Sequence, residues 1–381
     1  MAILRDSGSC DSGSTPLRTT FLIIVVFFMA IYYSEKIYQS NFFDILKKDD
    51  SIIVNLKKEN NVLISSWLNG GLVYNQNSII NHSLSGEDYI KLSDGDYDDF
   101  QKCKFKQLNL DYENTSGLMT SACMDNYAIS TKKYEQLEVT SIITAGADKN
   151  GVKAGDKASF YEYDNNYFTH FGTINIILLI NANLHDGALV TASITATEAK
   201  TSVLQDLKLE SQYSTHIATG TGTDGIAVIS NKNSSNHLEN AGKHSKLGEL
   251  IALSVQESLR KALYLQTFMS TDFQSTVLSR LSRFNIYFDD FYEKSVTNNK
   301  LEYASKFYEF NKNKANVVFV SSIINLIDEV QLNLLSLDDV ENMVKLLINN
   351  YLGVDVSNKK IKEMNDVFDL LVDSINCYLF N

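Results

Sequence analysis

The sequence predicts a mixed α/β or α+β core followed by an all-helical extension, and three observations carry that reading. Short β-rich runs punctuated by glycine turns fill the stretch from Ser51 to about Gln266. Two segments inside it have apolar residues at helical spacing. After Thr267 the glycine turns stop and helix-type periodicity continues to Asn381. At 381 residues the chain has room for two domains, each with its own buried core.

Residues 1–50 read as a leader: a Ser/Gly stretch, the apolar run Phe21 to Tyr33 (FLIIVVFFMAIYY) preceded by Arg5 and Arg18, and a polar segment ending in Lys47, Lys48, Asp49 and Asp50. The run is 13 residues long, short of the ~20 that a membrane-spanning helix needs, and no small-x-small cleavage site clearly follows it. It is read as a buried segment or as residues upstream of an internal start at Met29, which places the protein in the cytoplasm. Membrane association through the same run is the alternative.

From residue 51 to 266 the β-rich runs are Asn61 to Ser66, Val139 to Thr144, Ile174 to Ile180, Leu189 to Ala196 and Gly225 to Ser230. One helix is expected from Thr197 to about Leu207, where Ala199, Val203, Leu204 and Leu207 share a face, and a longer one from Ser245 through Leu263. In the extension, residues 267–381, Ser336 is the N-cap of a helix running from Leu337 to Leu352, and Gly353 stops it. Ile361, Met364, Phe368, Leu371 and Ile375 form a further stripe that packs within the extension's own bundle.

A formal net charge of −12 argues against a surface that tracks nucleic-acid phosphates, so nucleic acid is not an expected partner. The cysteines Cys10, Cys103, Cys123 and Cys377 are scattered without a CxxC, which fits a reducing compartment better than a disulfide framework. There is no HExxH, and the histidines His82, His170, His185, His216, His237 and His244 are dispersed. No metal or cofactor is assigned; a divalent metal stays possible through convergence of His82, His244, Asp224 and Glu198. Cys123 as a nucleophile has no evident base.

Three dense polar and glycine segments follow one another: Gly172 to Leu207 (GTINIILLINANLHDGALVTASITATEAKTSVLQDL), Ala218 to Val228 (ATGTGTDGIAV) and Ala241 to Leu250 (AGKHSKLGEL). With SSWLNGGL (Ser65 to Leu72), Asn81-His82, GLMTSA (Gly117 to Ala122) and TAGADKNGVKAGD (Thr144 to Asp156), in this order, the chain resembles the adenosylcobinamide amidohydrolase (CbiZ) family over roughly residues 60–265. His185, before Asp186-Gly187-Ala188-Leu189, departs from the small hydroxyl residue expected there. The resemblance implies a corrinoid substrate and hydrolysis of the amide that joins the ring's propionyl side chain to aminopropanol. The rival reading is a non-catalytic corrinoid-binding or sensing protein; the carrier motif DxHxxG is absent.

The resemblance brings no residue roles with it, so the site is assigned from chemistry. Amide hydrolysis needs a nucleophile or activated water, an oxyanion donor and a proton for the leaving amine. Glu198, expected to open a helix, is a candidate general base or a charge favoured by the helix dipole. His244 is a candidate proton shuttle or a helix cap, Lys246 an oxyanion donor or the partner of Glu249, and Asp224 the group that orients His244 or holds water. Lys200 reads as a solvated neighbour of Glu198. The loop Thr219-Gly220-Thr221-Gly222-Thr223-Asp224-Gly225 can converge N–H groups on an anion or be a tight turn. Its Thr219, Thr221 and Thr223 are substrate-binding candidates, the last two being nucleophiles only with a base in reach. Asn69, Gly70 and Gly71, as an oxyanion nest, a corrin-contact loop or a plain turn, complete the substrate-binding set with His82 and Asn175.

Overall fold

The computed structural model describes residues 34–92, 96–159, 161 and 173–380. The run Phe21 to Tyr33, Cys10 and His170 lie outside them. The chain begins with strands β1 (Ser34–Gln39), β2 (Phe43–Lys48), β3 (Ser51–Leu56), β4 (Asn60–Ile64), β5 (Gly71–Tyr74) and β6 (Ser78–Ser83), then helices α1 (Gly86–Leu92) and α2 (Tyr97–Gln107). There follow β7 (Thr115–Thr120), β8 (Ala128–Tyr134), β9 (Leu137–Ala145), β10 (Gly151–Val152), β11 (Ile174–Ile180), β12 (Asn183–Leu184) and helix α3 (Asp186–Asp206). Strands β13 (Gly220–Thr221), β14 (Gly225–Asn231) and β15 (His237–Leu238) precede helix α4 (Lys246–Thr267).

Two sheets are stacked. The first has the order β1-β2-β3-β6-β7 and the second β5-β4-β14-β11-β9-β8. Neighbours are antiparallel except β6 with β7 and β11 with β14. Side chains alternate across each strand with a period of two. On β11, Ile176, Leu178 and Ile180 pack under α3 and α4, while Ile177 and Leu179 face the first sheet. On the first sheet Ile52, Val54 and Ile79 point between the sheets, and Ile53 and Ile80 point outward against Phe105 of α2. The layers therefore run helix, sheet, sheet, helix, and a strand covered on both faces reads as the run INIILLI, apolar at every position except Asn175.

The first sheet starts inside the segment that the sequence assigns to a leader. β1 and β2 pair onto β3, and Phe42, Phe43 and Ile45 enter the core between the sheets. Polar Lys47, Lys48, Asp49 and Asp50 lie at the β2–β3 hairpin, where Asp49 takes the positive φ the turn requires.

The second difference is α3. Leu189 to Ala196 is not a strand but the first half of one 21-residue helix, capped by His185, whose ring Nδ1 accepts the Gly187 N–H at 3.2 Å. The β-branched residues in VTASITAT suggest a strand, yet the buried positions Ala188, Leu189, Ala192, Ala196, Ala199 and Val203 recur at helical spacing. Small residues let the helix lie close on the sheet. Helix α4 is capped by Ser245, which accepts the Gly248 N–H at 3.0 Å, and it runs past Leu263 to Thr267.

The extension comprises α5 (Val277–Leu281), α6 (Phe288–Glu293), α7 (Lys300–Lys312), α8 (Lys314–Gln331), α9 (Leu337–Leu352) and α10 (Met364–Phe380), closing over a core of their own. Ser336 and Asp339 form a capping box on α9, and Gly353 ends it with φ 69°. Phe368, Leu371 and Ile375 are buried in that core, as their stripe predicts. Against the two-sheet unit the extension is held by Arg283, which is fixed through Nη2 by Asp328 of α8 and donates from Nη1 to the Thr215 carbonyl, and by Ser282 on Glu210. No helix among the described residues is long and apolar enough to cross a membrane.

His82, on β6, is 5 % exposed and bonded through Nδ1 to Ser51 at 2.9 Å, while its Nε2 is buried without a hydrogen-bond partner, 3.8 Å from Asp88. Burial first, and the Lys104 charge second, lower its pKa from 6.5 to about 4 against the pull of Asp88. It is neutral in the folded protein at pH 7. Below pH 6.5 the unfolded chain takes up the proton that the folded chain refuses, so this contribution is complete above that pH and is lost as pH falls toward 4. The loss is expected to approach about 3 kcal/mol. Urea unfolding of wild type and His82→Gln at pH 7 and pH 4.5 reads it: the variant's stability should fall less, and parallel pH slopes would refute the assignment.

Candidate active site

Parts of the motifs around Ser65, Asn81, Met119, Thr144, Asn175 and Asp224 gather at one end of the second sheet, where β9 finishes and β11 and β14 begin. Asn175 pairs in register with Thr144 on one side and Gly225 on the other. Asn81, from the first sheet, donates to the Thr144 hydroxyl at 2.8 Å and accepts from Asn175 at 2.8 Å; Asn175 also donates to the Met119 carbonyl at 2.8 Å. Asn81 and Asn175 are buried and tie the two sheets together. Asn175 has thereby used its side-chain donors on the protein, which makes it a strut at the site rather than a free substrate contact.

Above this strut the glycine-rich loop wraps around Asp224. Its carboxylate accepts the Thr221 hydroxyl at 2.5 Å, the Thr221 N–H at 3.1 Å and the Ile174 N–H at 3.1 Å, and forms an ion pair with Lys200 from α3. Lys200 is buried, not the solvated neighbour of Glu198 that the sequence suggests. The glycines are explained by crowding. A Cβ on Gly220 would stand 2.4 Å from an Asp224 oxygen and 2.7 Å from the Lys200 nitrogen, and one on Gly225 2.6 Å from the Asn175 oxygen.

The loop's N–H groups do not converge on open space. Thr219 N–H goes to the Val152 carbonyl, Gly222 N–H to the Asn150 carbonyl and Thr223 N–H toward the Thr221 hydroxyl. Thr219 accepts the Ala154 N–H, which closes the 150–154 turn over the loop. Thr223 accepts from Asn150, and Asn150 accepts from Tyr213 at 3.2 Å. The loop is therefore a tight turn that presents one hydroxyl, Thr221, against one carboxylate.

The other assigned residues lie elsewhere. Glu198 is mid-helix, paired with Lys243 on the surface, so the helix-dipole reading does not apply to it. His244 sits exposed on the turn before α4 and has no hydrogen-bond partner among the described residues, so Asp224 does not orient it. Lys246 pairs with Glu249 at 2.6 Å and covers the Tyr134 ring, beside the β8–β9 hairpin. From that hairpin to Thr144 the strand spans roughly 25 Å at ~3.3 Å per residue, too far for Lys246 to share a centre with Asp224. Glu198, Asp224, His82 and His244 do not come together, and among the described residues no group of three or more His, Cys, Asp or Glu is placed to hold a metal ion. Cys123 is exposed, with Asp125 as its neighbour.

Asn69-Gly70-Gly71 is a structural turn. Asn69 takes φ 53° and donates to the Tyr112 and Thr115 carbonyls, each at 2.8 Å. A Cβ on Gly70 would lie 1.9 Å from the Ser66 carbonyl oxygen. The turn still reaches the site's end of the sheet, because Ser65 pairs with Ile226 beside Gly225, and it carries exposed Trp67, stacked on Tyr97 at 4.5 Å. Lys200, Asn150 and Tyr213 were not selected from sequence. A signal existed for the first: once α3 is extended back to Asp186, Lys200 falls on the face of Ala196, Val203 and Leu204.

Comparison with known proteins extends the matched stretch beyond residues 60–265, into the segment read from sequence as a leader. The family model described as adenosylcobinamide amidohydrolase (CbiZ) matches residues 34–271, from β1 to just past α4. "Uncharacterized protein MJ1613" of Methanocaldococcus jannaschii is 36 % identical over 198 residues, covering 49 % of this chain and 76 % of the relative. The crystal structure of the PH0078 protein from Pyrococcus horikoshii OT3 aligns with a TM-score of 0.31 at 10 % identity, over 60 % of this chain and 82 % of that one. Matched over more than half its length, with the polar cluster around Asp224 inside the match, the chain belongs to the adenosylcobinamide amidohydrolase family.

Proposed function

We propose that this protein hydrolyses the amide between the corrin propionyl side chain and aminopropanol in adenosylcobinamide, releasing adenosylcobyric acid and aminopropanol. Family membership supports the substrate class. The observation that carries the chemistry is the Thr221 hydroxyl bonded at 2.5 Å to Asp224, whose carboxylate is paired with buried Lys200.

In this reading Thr221 Oγ1 attacks the amide carbon and its proton passes to Asp224. The Lys200 ammonium, with protons beyond the one held by Asp224, offsets the charge growing on the carbonyl oxygen. Collapse of the tetrahedral species breaks the C–N bond, and the departing amine takes the proton from Asp224. Water then attacks the Thr221 ester, releasing the carboxylic acid and restoring the hydroxyl. Asp224 is well suited to hold Thr221 and Lys200 in place, because four donors fix its position. The Asn81–Asn175 strut keeps β11, and with it the Ile174 N–H, under that carboxylate.

The test is mass spectrometry of adenosylcobinamide incubated with the purified chain. Wild type should yield both products, and Thr221→Ala, Asp224→Asn and Lys200→Met should each lose activity by about a hundredfold or more while keeping a wild-type circular dichroism spectrum. His244→Ala, on the exposed turn, should retain it. Loss in His244→Ala with retention in Thr221→Ala would move the chemistry to the turn before α4 and end this mechanism. Corrinoid binding without cleavage by wild type would leave a binding protein instead.

Gly220→Ala offers an independent check, since the added methyl meets the Asp224–Lys200 ion pair. Activity should fall at least about tenfold with the fold retained. Full activity in this variant would mean that the Asp224–Lys200 geometry is not needed for turnover.

A further inference from the structure

Where the extension meets the two-sheet unit there is a cavity of about 60 Å³, lined on one side by Lys208 and Glu210 and on the other by Arg280, Arg283, Asn325 and Asp328. Its walls carry one cation more than they carry carboxylates, in a chain whose formal net charge is −12. Both carboxylates are engaged. Asp328 holds Arg283 through contacts of 2.6 and 2.7 Å, and Glu210 accepts the Ser282 hydroxyl at 2.8 Å.

Arg280 is left over. Its Nε is buried without a hydrogen-bond partner, and among the described residues its guanidinium makes no ion pair. Partial burial, and then the neighbouring Arg283 cation, pull it below its ordinary range, the direction expected of a half-buried cation that faces no anion. A buried donor is normally satisfied, and a guanidinium fork matches the oxygens of a phosphate.

We propose that this cavity is an anion site for a phosphate group, held by Arg280 with Lys208 across the junction between the extension and the two-sheet unit. The cavity has room for a small oxyanion. The adjoining groove of about 250 Å³, which shares Glu210 and Arg283 with it, leaves space for the remainder of a phosphate monoester. The occupant bridges α5 to the chain just after α3, so it fastens the extension to the core. The site is separate from the amide chemistry and is tested by binding alone.

The experiment is isothermal titration of the full chain with inorganic phosphate and, separately, with glycerol 3-phosphate, against chloride at matched ionic strength, with melting temperature followed alongside. Wild type should bind saturably and melt higher. Tighter binding of the monoester identifies an organic phosphate as the occupant; equal or tighter binding of inorganic phosphate identifies the free ion. Arg280→Gln should weaken binding about tenfold or more, and Arg280→Lys less. Lys208→Gln, at an exposed position, should weaken it several-fold and serves where Arg280→Gln does not fold. No response beyond chloride, or an unchanged affinity in the folded variants, overturns the proposal.

Discussion

The pairing of Lys200 with Asp224 is the contact on which the candidate site depends. Removing two charges from water is costly, and the attraction between them offsets that cost only when the remaining lone pairs and protons are also satisfied. Asp224 meets the condition through Thr221 and the Ile174 N–H, so a single carboxylate locks together a helix, a turn and the first residues of a central strand. Such a pair contributes little net stability compared with an apolar substitute of the same shape. What it secures is position: Thr221 is held in one orientation by its hydrogen bond to Asp224.

Beneath it the interface between the sheets is mostly apolar, and the exception lies at the same end. Asn81, Thr144 and Asn175 form a bridge whose members are all buried and mutually bonded. A polar bridge in an otherwise aliphatic interface is tolerated when no donor is left over, and it penalises any sliding of one sheet on the other, because a shift by one residue would orphan several groups together. The register that aligns Thr144, Asn175 and Gly225 is thus held both by the strand ladders and by these amides.

Much of this architecture is legible in the sequence wherever burial and periodicity agree. The runs at Ile174 and Gly225, the helix that starts at Ser245 and the Ser336–Gly353 helix emerge as written, since each combines an apolar pattern with a polar or turn residue at its end, although the cap of α4 is Ser245 and not His244. Two elements are obscured by competing signals. The hairpin of β1 and β2 follows an apolar stretch that draws attention to a leader, and its strands are mixed in polarity because one face of the edge is wet. Helix α3 is rich in threonine and small residues, so neither a strong moment nor a strong propensity marks it. That second ambiguity propagated into the site: with the helix taken to begin at Thr197, Glu198 looks like its first charge and Lys200 like a surface companion, whereas the full helix puts one on the surface and the other inside. Asn150 and Tyr213 were beyond reach for a different reason, as they meet the loop only through the fold.

The order of strands in the second sheet has a consequence for how the chain assembles. β14 lies between β4 and β11, so a strand made near residue 230 is inserted between one finished before residue 65 and another that ends at residue 180. Until it arrives, the β4–β5 hairpin and the β8-β9-β11 meander are separate pieces, each with an open edge and an uncovered apolar face. Closing them requires contacts of very long sequence separation, the kind that makes folding slow and leaves edges available to other chains in the meantime. During synthesis from the N-terminus the chain must emerge through Asn231 before the sheet can be completed, and the loop that carries Thr221 and Asp224 arrives just ahead of the strand that completes it.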